Sequence, residues 1–283
     1  MYIEVSSNLR VIDPTKKLEK WCDENLVVSN PVYVKKARMH LWLSDTPKYL
    51  YLYEKRGNDL ILPFGVLNQI PYECVKDAEI KSVFATAINV NFKAKVPLYD
   101  YQEKAVQAMF DAKFGILQSP AGSGKTQMGI ALAAKTGRRT LWLCHTLDLV
   151  KQSMQRAKLY IDKDLIGTIA SGKVNIGKGI TFATVQTISK LDLTQYKNYW
   201  DCIIVDEVHR VSGSPTSMTM YQKVLNYLSA RHKYGLSATV HRSDGMIKAT
   251  FMLIGDVVHE VDKSDVRDKI LKVGIYPVST GLR

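Results

Sequence analysis

Residues 118–126, QSPAGSGKT, follow an apolar run at 114–117 and precede a helix-forming run that ends before Gly137. A short strand, a turn of small residues and a helix in this order are typical of a phosphate-binding loop. Small residues let successive backbone N–H groups converge on a phosphate, and the amino terminus of the helix adds positive potential. The candidate nucleotide-binding positions are Ser119, Ala121, Gly122, Ser123, Gly124, Lys125 and Thr126.

Two side chains of this segment carry specific chemistry. Lys125 can reach the outer phosphates of a nucleotide, and the Thr126 hydroxyl can ligate magnesium. The usual pattern has Gly six residues before the lysine, where this chain has Ser119, while Gly122 supplies flexibility further along. The alternative is a glycine-rich turn with a chance Lys-Thr pair, but the flanking strand and helix favour a nucleotide site.

Short apolar runs alternate with helical stretches over the second two thirds of the chain. Strands are predicted at 114–117, 140–144, 166–170, 180–183, 202–205 and 233–236, and helices at 100–112, 125–135, 147–160 and 217–228. Strands that are apolar on both faces and separated by helices indicate a parallel sheet with helices on both sides. The pattern therefore predicts an α/β fold.

Two carboxylates, Asp206 and Glu207, directly follow the predicted strand at 202–205. In an open parallel sheet, this position lies at the carboxyl edge of the strands, where ligands bind and where the phosphate-binding loop also emerges. Adjacent carboxylates there are costly without a cation. Asp206 can hold the magnesium shared with Thr126, and Glu207 can orient and polarise the attacking water for phosphoryl transfer. A solvated acidic turn is the alternative.

A third strand end carries hydroxyl groups. GLSAT at 235–239 supplies Ser237 and Thr239, and Arg242 follows shortly after. Hydroxyls at a strand end can hydrogen-bond to the carboxylate segment and report the nucleotide state to another surface. Taken alone, Ser-Ala-Thr is more often a turn than a switch.

The first third of the chain has a different pattern, which predicts a small α+β module. Its signals are an amphipathic run at 14–25, alternating apolar residues at 49–53, a turn at 56–59 and an apolar run at 60–62. These indicate a short helix beside a hairpin. We divide the chain into an accessory, nucleic-acid-recognition domain at 1–75, a connecting segment at 76–97 and a nucleotide-binding domain at 98–283.

Length and composition exclude several classes of protein. A chain of 283 residues with 46% hydrophobic and 23% charged residues is neither disordered nor fibrous. No apolar stretch approaches the ~18 residues that span a bilayer, so we expect a soluble, cytoplasmic protein with no membrane partner. The four cysteines form no CxxC pair and are expected to be reduced core thiols. The net charge of +12 favours a polyanionic partner.

Taken together and in this order, Tyr101-Gln102, SPAGSGKT, DEVH at 206–209 and SAT at 237–239 resemble the first motor domain of superfamily 2 helicases and translocases. GLSATVHRSDG at 235–245 is most similar to the branch that contains XPB, RecG and the phage recombination helicase UvsW, and LILPFGVLNQI at 60–70 resembles an amino-terminal stretch of the phage member. The resemblance implies a RecA-like domain that binds ATP and magnesium and remodels branched or duplex DNA.

The resemblance also implies roles for residues around the nucleotide. Gln102 matches the glutamine that recognises adenine. His209 matches the residue that couples the nucleotide site to the strand-binding surface, and the coupling set is His209, Ser237, Thr239 and Arg242. Without the family context, Gln102 is equally an exposed helix residue and His209 a structural histidine.

Three further positions resemble the family's nucleic-acid contacts. Thr146, Thr184 and Gln186 follow predicted strands and match residues that hold the sugar–phosphate backbone without reading bases. The family's common Pro before this threonine is His145 here. Polar residues at strand ends are also ordinary helix caps, which is the alternative for each of the three.

Superfamily 2 motors use two RecA-like domains, and the second supplies arginines to the ATP in the cleft. About 40 residues follow Thr239, and 259–278 are expected to form closing strands of the first domain, so the second domain is expected in cis on a longer helicase or in trans. An arginine finger contributes about 10³–10⁵ in rate. We therefore expect weak hydrolysis from the chain alone. A translocating subunit of a restriction system and a catalytically silent nucleic-acid-binding module remain alternatives.

Overall fold

The computed structural model describes residues 1–92, 94–212, 214–239 and 247–266, so Arg242 lies outside the described residues. The strands are β1 (Tyr2–Val5), β2 (Asn8–Ile12), β3 (Val27–Ser29), β4 (Tyr49–Tyr51), β5 (Glu54–Arg56), β6 (Asp59–Pro63), β7 (Glu79–Ser82), β8 (Phe114–Gln118), β9 (Thr140–Cys144), β10 (Ile166–Ala170), β11 (Lys173–Asn175), β12 (Ile180–Thr184), β13 (Cys202–Asp206), β14 (His232–Ser237) and β15 (Val257–Glu260). The helices are α1 (Lys16–Asn25), α2 (Pro31–Arg38), α3 (Tyr72–Val75), α4 (Asp100–Ala112), α5 (Lys125–Thr136), α6 (Leu147–Ala157), α7 (Val185–Ile188), α8 (Pro215–Tyr227), α9 (Ile247–Ile254) and α10 (Lys263–Val266).

The described strands from β8 onward form one sheet in the order β11-β10-β12-β9-β13-β14-β8-β15. Neighbouring strands are parallel except for β10 and β11. One apolar core joins the sheet to α4, α5 and α6, and a second joins its other face to α7, α8 and α9. The expected α/β fold, with a parallel sheet between two layers of helices, is confirmed.

The predicted strands and helices of this sheet are all present, with ends shifted by up to three residues. Helix α4 begins and ends where the pattern predicts, whereas α6 ends at Ala157 rather than at residue 160. The segment expected to form closing strands includes the end of β15, but it continues into the short helix α10. The rest of that segment, from residue 267, lies outside the described residues.

The first 82 residues contain a five-stranded sheet in the order β5-β6-β2-β1-β7. Strand β7 pairs in parallel with β1, so this sheet extends into the segment interpreted above as a connection. The predicted hairpin is partly wrong: β6 pairs with β5, whereas β4 pairs with β3 in a separate two-stranded sheet. The physical reason is that consecutive Leu52 and Tyr53 are both buried, which breaks the alternation of a continuous strand.

The amino-terminal sheet packs directly on the nucleotide-binding part of the chain. Its core includes Met218 of α8 and both Ala249 and Met252 of α9. A Cβ atom on Gly65 would lie 2.3 Å from the backbone oxygen of Phe251, so the backbone of the turn after β6 lies directly against α9. The module is therefore fixed to the helix that follows Ser237 and Thr239 in the chain.

Candidate nucleotide site and nucleic-acid edge

The phosphate-binding loop and the acidic pair lie at the same edge of the large sheet. The loop follows β8 and the acidic pair ends β13, with β14 between them. Asp206 is in register with Leu236, and the next residue of β14, Ser237, is in register with Gln118. Because neighbouring strands lie about 4.8 Å apart, the two strand ends are about 10 Å apart. A nucleotide phosphate chain and a metal ion can bridge this gap.

The backbone of residues 119–124 forms a turn before α5, in which the Ser123 N–H donates to the Pro120 carbonyl at 3.3 Å. Gly122 and Gly124 have φ of +80° and +83°, a region that favours glycine. The entrance of the loop is tied to β14, because the Ser119 N–H donates to the Ser237 carbonyl at 2.9 Å. The Lys125 ammonium donates to the carbonyls of Ser119 and Pro120 at 3.2 and 3.3 Å, and so points back into the loop where an anion would lie.

Gln102, from the first turn of α4, is buried against this loop. Its Oε1 accepts from the Tyr99 N–H at 2.9 Å, and its Nε2 donates to the Ser123 carbonyl at 2.8 Å. The Tyr101 hydroxyl donates to the same carbonyl at 2.9 Å. The second N–H of Nε2 donates to the Tyr101 hydroxyl at 3.3 Å, so one lone pair of Oε1 remains for a base. Gln102 thus supports the loop, a contact that the sequence pattern did not indicate.

Asp206 is buried at the end of β13, with 4% of its surface exposed. Its Oδ1 accepts from the Glu207 N–H at 3.0 Å, and its Oδ2 accepts from the Ser153 hydroxyl at 3.3 Å. Burial, and then the neighbouring Glu207 carboxylate, raise the pKa of Asp206 to about 6, while Lys125 opposes this shift. A cation beside this carboxylate would relieve both unfavourable effects.

Glu207 adopts a left-handed backbone conformation, with φ of +48°. A non-glycine residue in this region carries strain of about 1–2 kcal/mol, which is typical of functional turns. Its Oε2 lies 3.3 Å from Nδ1 of His209, and the same Nδ1 lies 3.0 Å from the Ser237 hydroxyl. The Ser237 hydroxyl donates to the Thr239 carbonyl at 2.6 Å, so it accepts from His209. Glu207 is therefore in contact with His209, and hydrogen bonds continue from His209 through Ser237 to Thr239, which joins the end of β13 to β14.

The three nucleic-acid candidates lie at the ends of two strands on the same edge. Thr146 is exposed and caps α6, Thr184 is buried at the end of β12, and Gln186 follows in α7. The Gln186 amide donates to the His145 carbonyl at 2.8 Å, which joins the two strand ends. Burial, and then nearby Arg210, lower the pKa of His145.

The groups at this edge fit a magnesium nucleotide. The hydroxyl of Thr126 and the carboxylate of Asp206 are hard oxygen donors, which magnesium prefers. Gly122 and Gly124 adopt positive φ without strain and carry no side chains, so the backbone of the turn can approach a phosphate closely, as a phosphate cradle requires. The described residues contain no cluster of three or more His, Cys, Asp or Glu side chains that could hold a metal. Magnesium beside phosphates needs only one or two protein ligands, with water and the phosphates completing its shell.

Sequence reasoning missed Ser153, and it quoted Tyr101 only as part of a motif, without the contact that its hydroxyl makes. Ser153 donates to Asp206 from α6, and the Tyr101 hydroxyl holds the Ser123 carbonyl. The buried face of α6 consists of Val150, Ser153 and Ala157, so a serine on the apolar stripe of a helix was the available signal.

The family described as "Type III restriction enzyme, res subunit" matches residues 95–242, which are more than half of the chain. The chain belongs to this family. The matched region holds the phosphate-binding loop, the acidic pair and the strand-end motifs, and it is the first motor domain of a superfamily 2 helicase or translocase.

The curated relatives of the chain include helicases and translocases. It is 28% identical over 207 residues to the "DNA 3'-5' translocase XPB2" of Sulfurisphaera tokodaii, covering 73% of this chain and 42% of that protein. It is also 28% identical over 202 residues to the "General transcription and DNA repair factor IIH helicase/translocase subunit XPB" of Drosophila melanogaster, covering 64% of this chain and 24% of the relative. The chain spans less than half the length of both relatives.

A solved structure gives the same fold. The UvsW helicase from bacteriophage T4 superposes with a TM-score of 0.67 and 18% identity, covering 92% of this chain and 100% of that chain. This likeness includes the amino-terminal module as well as the motor domain. Among the described residues of the family member, no helix has the length and apolar character to cross a bilayer.

Proposed function

We propose that this chain is the ATP-binding half of an ATP-dependent DNA helicase or translocase that remodels branched or duplex DNA. The observation that carries the proposal is the single sheet edge at which the phosphate-binding loop, the acidic pair and the three nucleic-acid candidates lie together. The names of the translocase and helicase relatives support it. They do not favour the alternative of a restriction-system subunit.

Each side chain of the nucleotide site has a proposed task. Lys125 exchanges its loop carbonyls for the outer phosphates of ATP. Gln102 exchanges the long hydrogen bond to the Tyr101 hydroxyl for adenine and offers the base the free lone pair of Oε1 as well. Thr126 and Asp206 hold magnesium, which neutralises phosphate charge when it is bound. Glu207 orients the attacking water and receives its proton.

The coupling and nucleic-acid roles follow the hydrogen bonds at the same edge. His209, Ser237 and Thr239 link Glu207 to β14, and Arg242 belongs to this set by its place in the sequence. Thr146, Thr184 and Gln186 are proposed to hold phosphates of a DNA strand. Hydroxyl and amide groups of this kind bind the backbone without reading bases.

The larger organisation is also a proposal. We retain a motor domain at 98–283, an accessory nucleic-acid-recognition domain at 1–75 and a connecting segment at 76–97, whose strand β7 completes the sheet of the accessory domain. A second RecA-like domain, in cis or in trans, is needed to supply arginines, so weak hydrolysis is expected from this chain alone. All four cysteines are buried and free, which supports a reducing compartment such as the cytoplasm, or that of the host for a phage protein.

Two substitutions test the proposed function in a protein that also contains the second motor domain. Lys125→Ala should weaken ATP binding at least about tenfold because the phosphates lose their charged partner. Glu207→Gln should keep ATP affinity and lower hydrolysis about 10²-fold or more because the general base is lost. Binding of a fluorescent ATP analogue and phosphate release with single-stranded DNA, with RNA and without nucleic acid are measured.

Lys135→Ala, at the far end of α5, is the matched control and should leave both quantities unchanged. Normal hydrolysis by the Glu207→Gln protein would show that the assigned base is wrong. Salt-sensitive DNA binding without any stimulated hydrolysis in the unsubstituted protein would instead favour the silent binding module.

A further inference from the structure

Helix α6 runs from the proposed nucleic-acid contact toward the proposed metal ligand. It begins directly after Thr146, whose hydroxyl oxygen accepts from the Leu149 N–H at 3.3 Å. Only His145 and Thr146 separate α6 from β9, so the helix is held closely to the sheet. At a rise of 1.5 Å per residue, Ser153 lies about 10 Å along the helix from Thr146.

Ser153 is the polar member of the buried face of α6, which otherwise consists of Val150 and Ala157. It is 2% exposed, and its hydroxyl donates to Oδ2 of Asp206 at 3.3 Å. Within residues 1–92, 94–212, 214–239 and 247–266, no other side chain donates a hydrogen bond to this carboxylate. Its other oxygen is held by the backbone N–H of Glu207.

The neighbours of Asp206 offer no comparable link. Cys144, at the end of the adjacent strand β9, is a buried thiol, and a thiol is a weak donor. The Tyr221 hydroxyl of α8 is buried without a hydrogen-bond partner among the described residues, so it does not reach the carboxylate. The side-chain connection between Asp206 and the helices is therefore made by α6.

We propose that Ser153 is a positioning residue that couples nucleic-acid binding at the start of α6 to nucleotide binding at Asp206. A phosphate gripped at Thr146 displaces α6 as a rigid element, and the Ser153 hydroxyl passes the displacement to the Asp206 carboxylate. The inference rests on the proposed function.

The proposed direction of this coupling is that nucleic acid draws α6 toward β13 and shortens the hydrogen bond. An O–H···O distance of 3.3 Å is long, and a shift of about 0.5 Å toward β13 brings it into the usual range. Nucleic acid should therefore fix the orientation of Asp206 and tighten nucleotide binding. Because coupling between two binding sites is reciprocal, the nucleotide should tighten nucleic-acid binding by the same factor.

The test measures equilibrium binding by the full chain rather than its hydrolysis. The dissociation constant of a fluorescent, non-hydrolysable ATP analogue with Mg²⁺ is measured with and without a saturating single-stranded oligonucleotide. The ratio, or coupling factor, should be about fivefold or more for the unsubstituted chain. Ser153→Ala should bring it to within about twofold of unity, since the link is absent. The oligonucleotide affinity, measured with and without the analogue, should give the same factor.

Two further variants separate hydrogen bonding from packing. Ser153→Cys fills the same space with a weak donor and should lose coupling, whereas Ser153→Thr retains a hydroxyl and should keep it. Thr250→Ala, which removes a buried hydroxyl of α9 bonded to Ser212, is the control and should keep the wild-type factor. Thermal unfolding shows whether each variant folds. If Ser153→Thr does not fold, the coupling factors of Ser153→Ala and Ser153→Cys decide whether the hydroxyl carries the coupling.

The other possible results of these binding measurements would contradict either the inference or the proposed function. Retained coupling in Ser153→Ala or Ser153→Cys would overturn the role of the hydroxyl. Binding of both ligands by the unsubstituted chain without coupling would overturn the inference but leave the proposed function intact. Absence of nucleotide binding by the unsubstituted chain would overturn the proposed function, and the inference with it.

Discussion

Gly124 determines how closely Gln102 can approach the nucleotide-binding loop. Its φ is +83°, and a Cβ atom there would lie 2.5 Å from Nε2 of Gln102, which holds the Ser123 carbonyl. Gly172 has a similar φ of +75° but no atom within 4 Å of the Cβ position. Both positions therefore require a positive φ, but only Gly124 lies against another side chain, that of Gln102.

Alanine at these two positions separates backbone strain from the loop contact. Gly124→Ala and Gly172→Ala should each lower the free energy of unfolding by about 1–2 kcal/mol, because alanine is strained at positive φ. Only Gly124→Ala should also weaken nucleotide binding, since Gln102 must move. Chemical denaturation and nucleotide titration measure the two effects. Equal loss of nucleotide affinity in both variants would contradict the role of the Gln102 contact.

Single residues show which parts of the site a sequence can reveal. Lys125 and Thr126 were predictable because a phosphate-binding loop needs small residues, a lysine and a hydroxyl at fixed local spacing. Ser153 was not, because its partner Asp206 is 53 residues away and no local pattern encodes that contact. Gln102 was assigned to adenine from the resemblance, whereas its contact with the loop was not predictable because Ser123 is 21 residues away in the chain.

At the scale of elements, both the successes and the errors follow from locality. Strands β8, β9, β12 and β13 were predictable because each is a short apolar run, buried on both faces. The edge strand β11 was not predicted, because all three of its residues are exposed. The amino-terminal sheet was harder to predict. Its β7 is exposed along its whole length and pairs with β1, more than 70 residues earlier, so neither burial nor spacing marks it.

The spatial order of the strands brings the residues of the site together. The sequence order β8, β9, β12, β13, β14 becomes the spatial order β12-β9-β13-β14-β8. This places the phosphate-binding loop and the nucleic-acid candidates at opposite ends of one row, with Asp206 and Ser237 between them. Parallel strands send all their carboxyl ends to one edge, so a shared edge was predictable from the sequence, but the order within it was not.

At the scale of the whole molecule, Lys233 of β14 joins the amino-terminal module to the motor domain. Its buried ammonium donates to the carbonyls of Ser7 and Leu225 and lies 4.8 Å from the centre of the Phe64 ring. Burial lowers the pKa of Lys233 to about 7. The carbonyls and the ring favour the charged form, so they reduce the cost of burying it.

This buried lysine predicts a rise in stability with pH. An unfolded lysine titrates near 10.4, so between about pH 7 and 10 the unfolded chain binds more protons than the folded chain, and the free energy of unfolding rises with pH. Over this window the free energy of unfolding of the unsubstituted protein should rise by about 3–4 kcal/mol relative to that of Lys233→Met, which lacks the ionisable group. Denaturant titrations at several pH values measure the difference.

Lys197→Met is the matched control, because this lysine is exposed in the cleft between the same two parts of the chain. The free energy of unfolding of Lys197→Met should change with pH in the same way as that of the unsubstituted protein. If Lys233→Met gives the same pH dependence as well, then Lys233 is charged in the folded state at neutral and alkaline pH alike.

The most direct test of the shared nucleotide site is a crystal structure of the chain with Mg²⁺ and a non-hydrolysable ATP analogue. The metal is expected about 2.1 Å from the Thr126 hydroxyl, with Asp206 bound to it directly or through one water, and the phosphates should lie on the backbone N–H groups of the loop. A nucleotide bound elsewhere, or a metal too far from Asp206 for even one bridging water, would contradict the proposed motor.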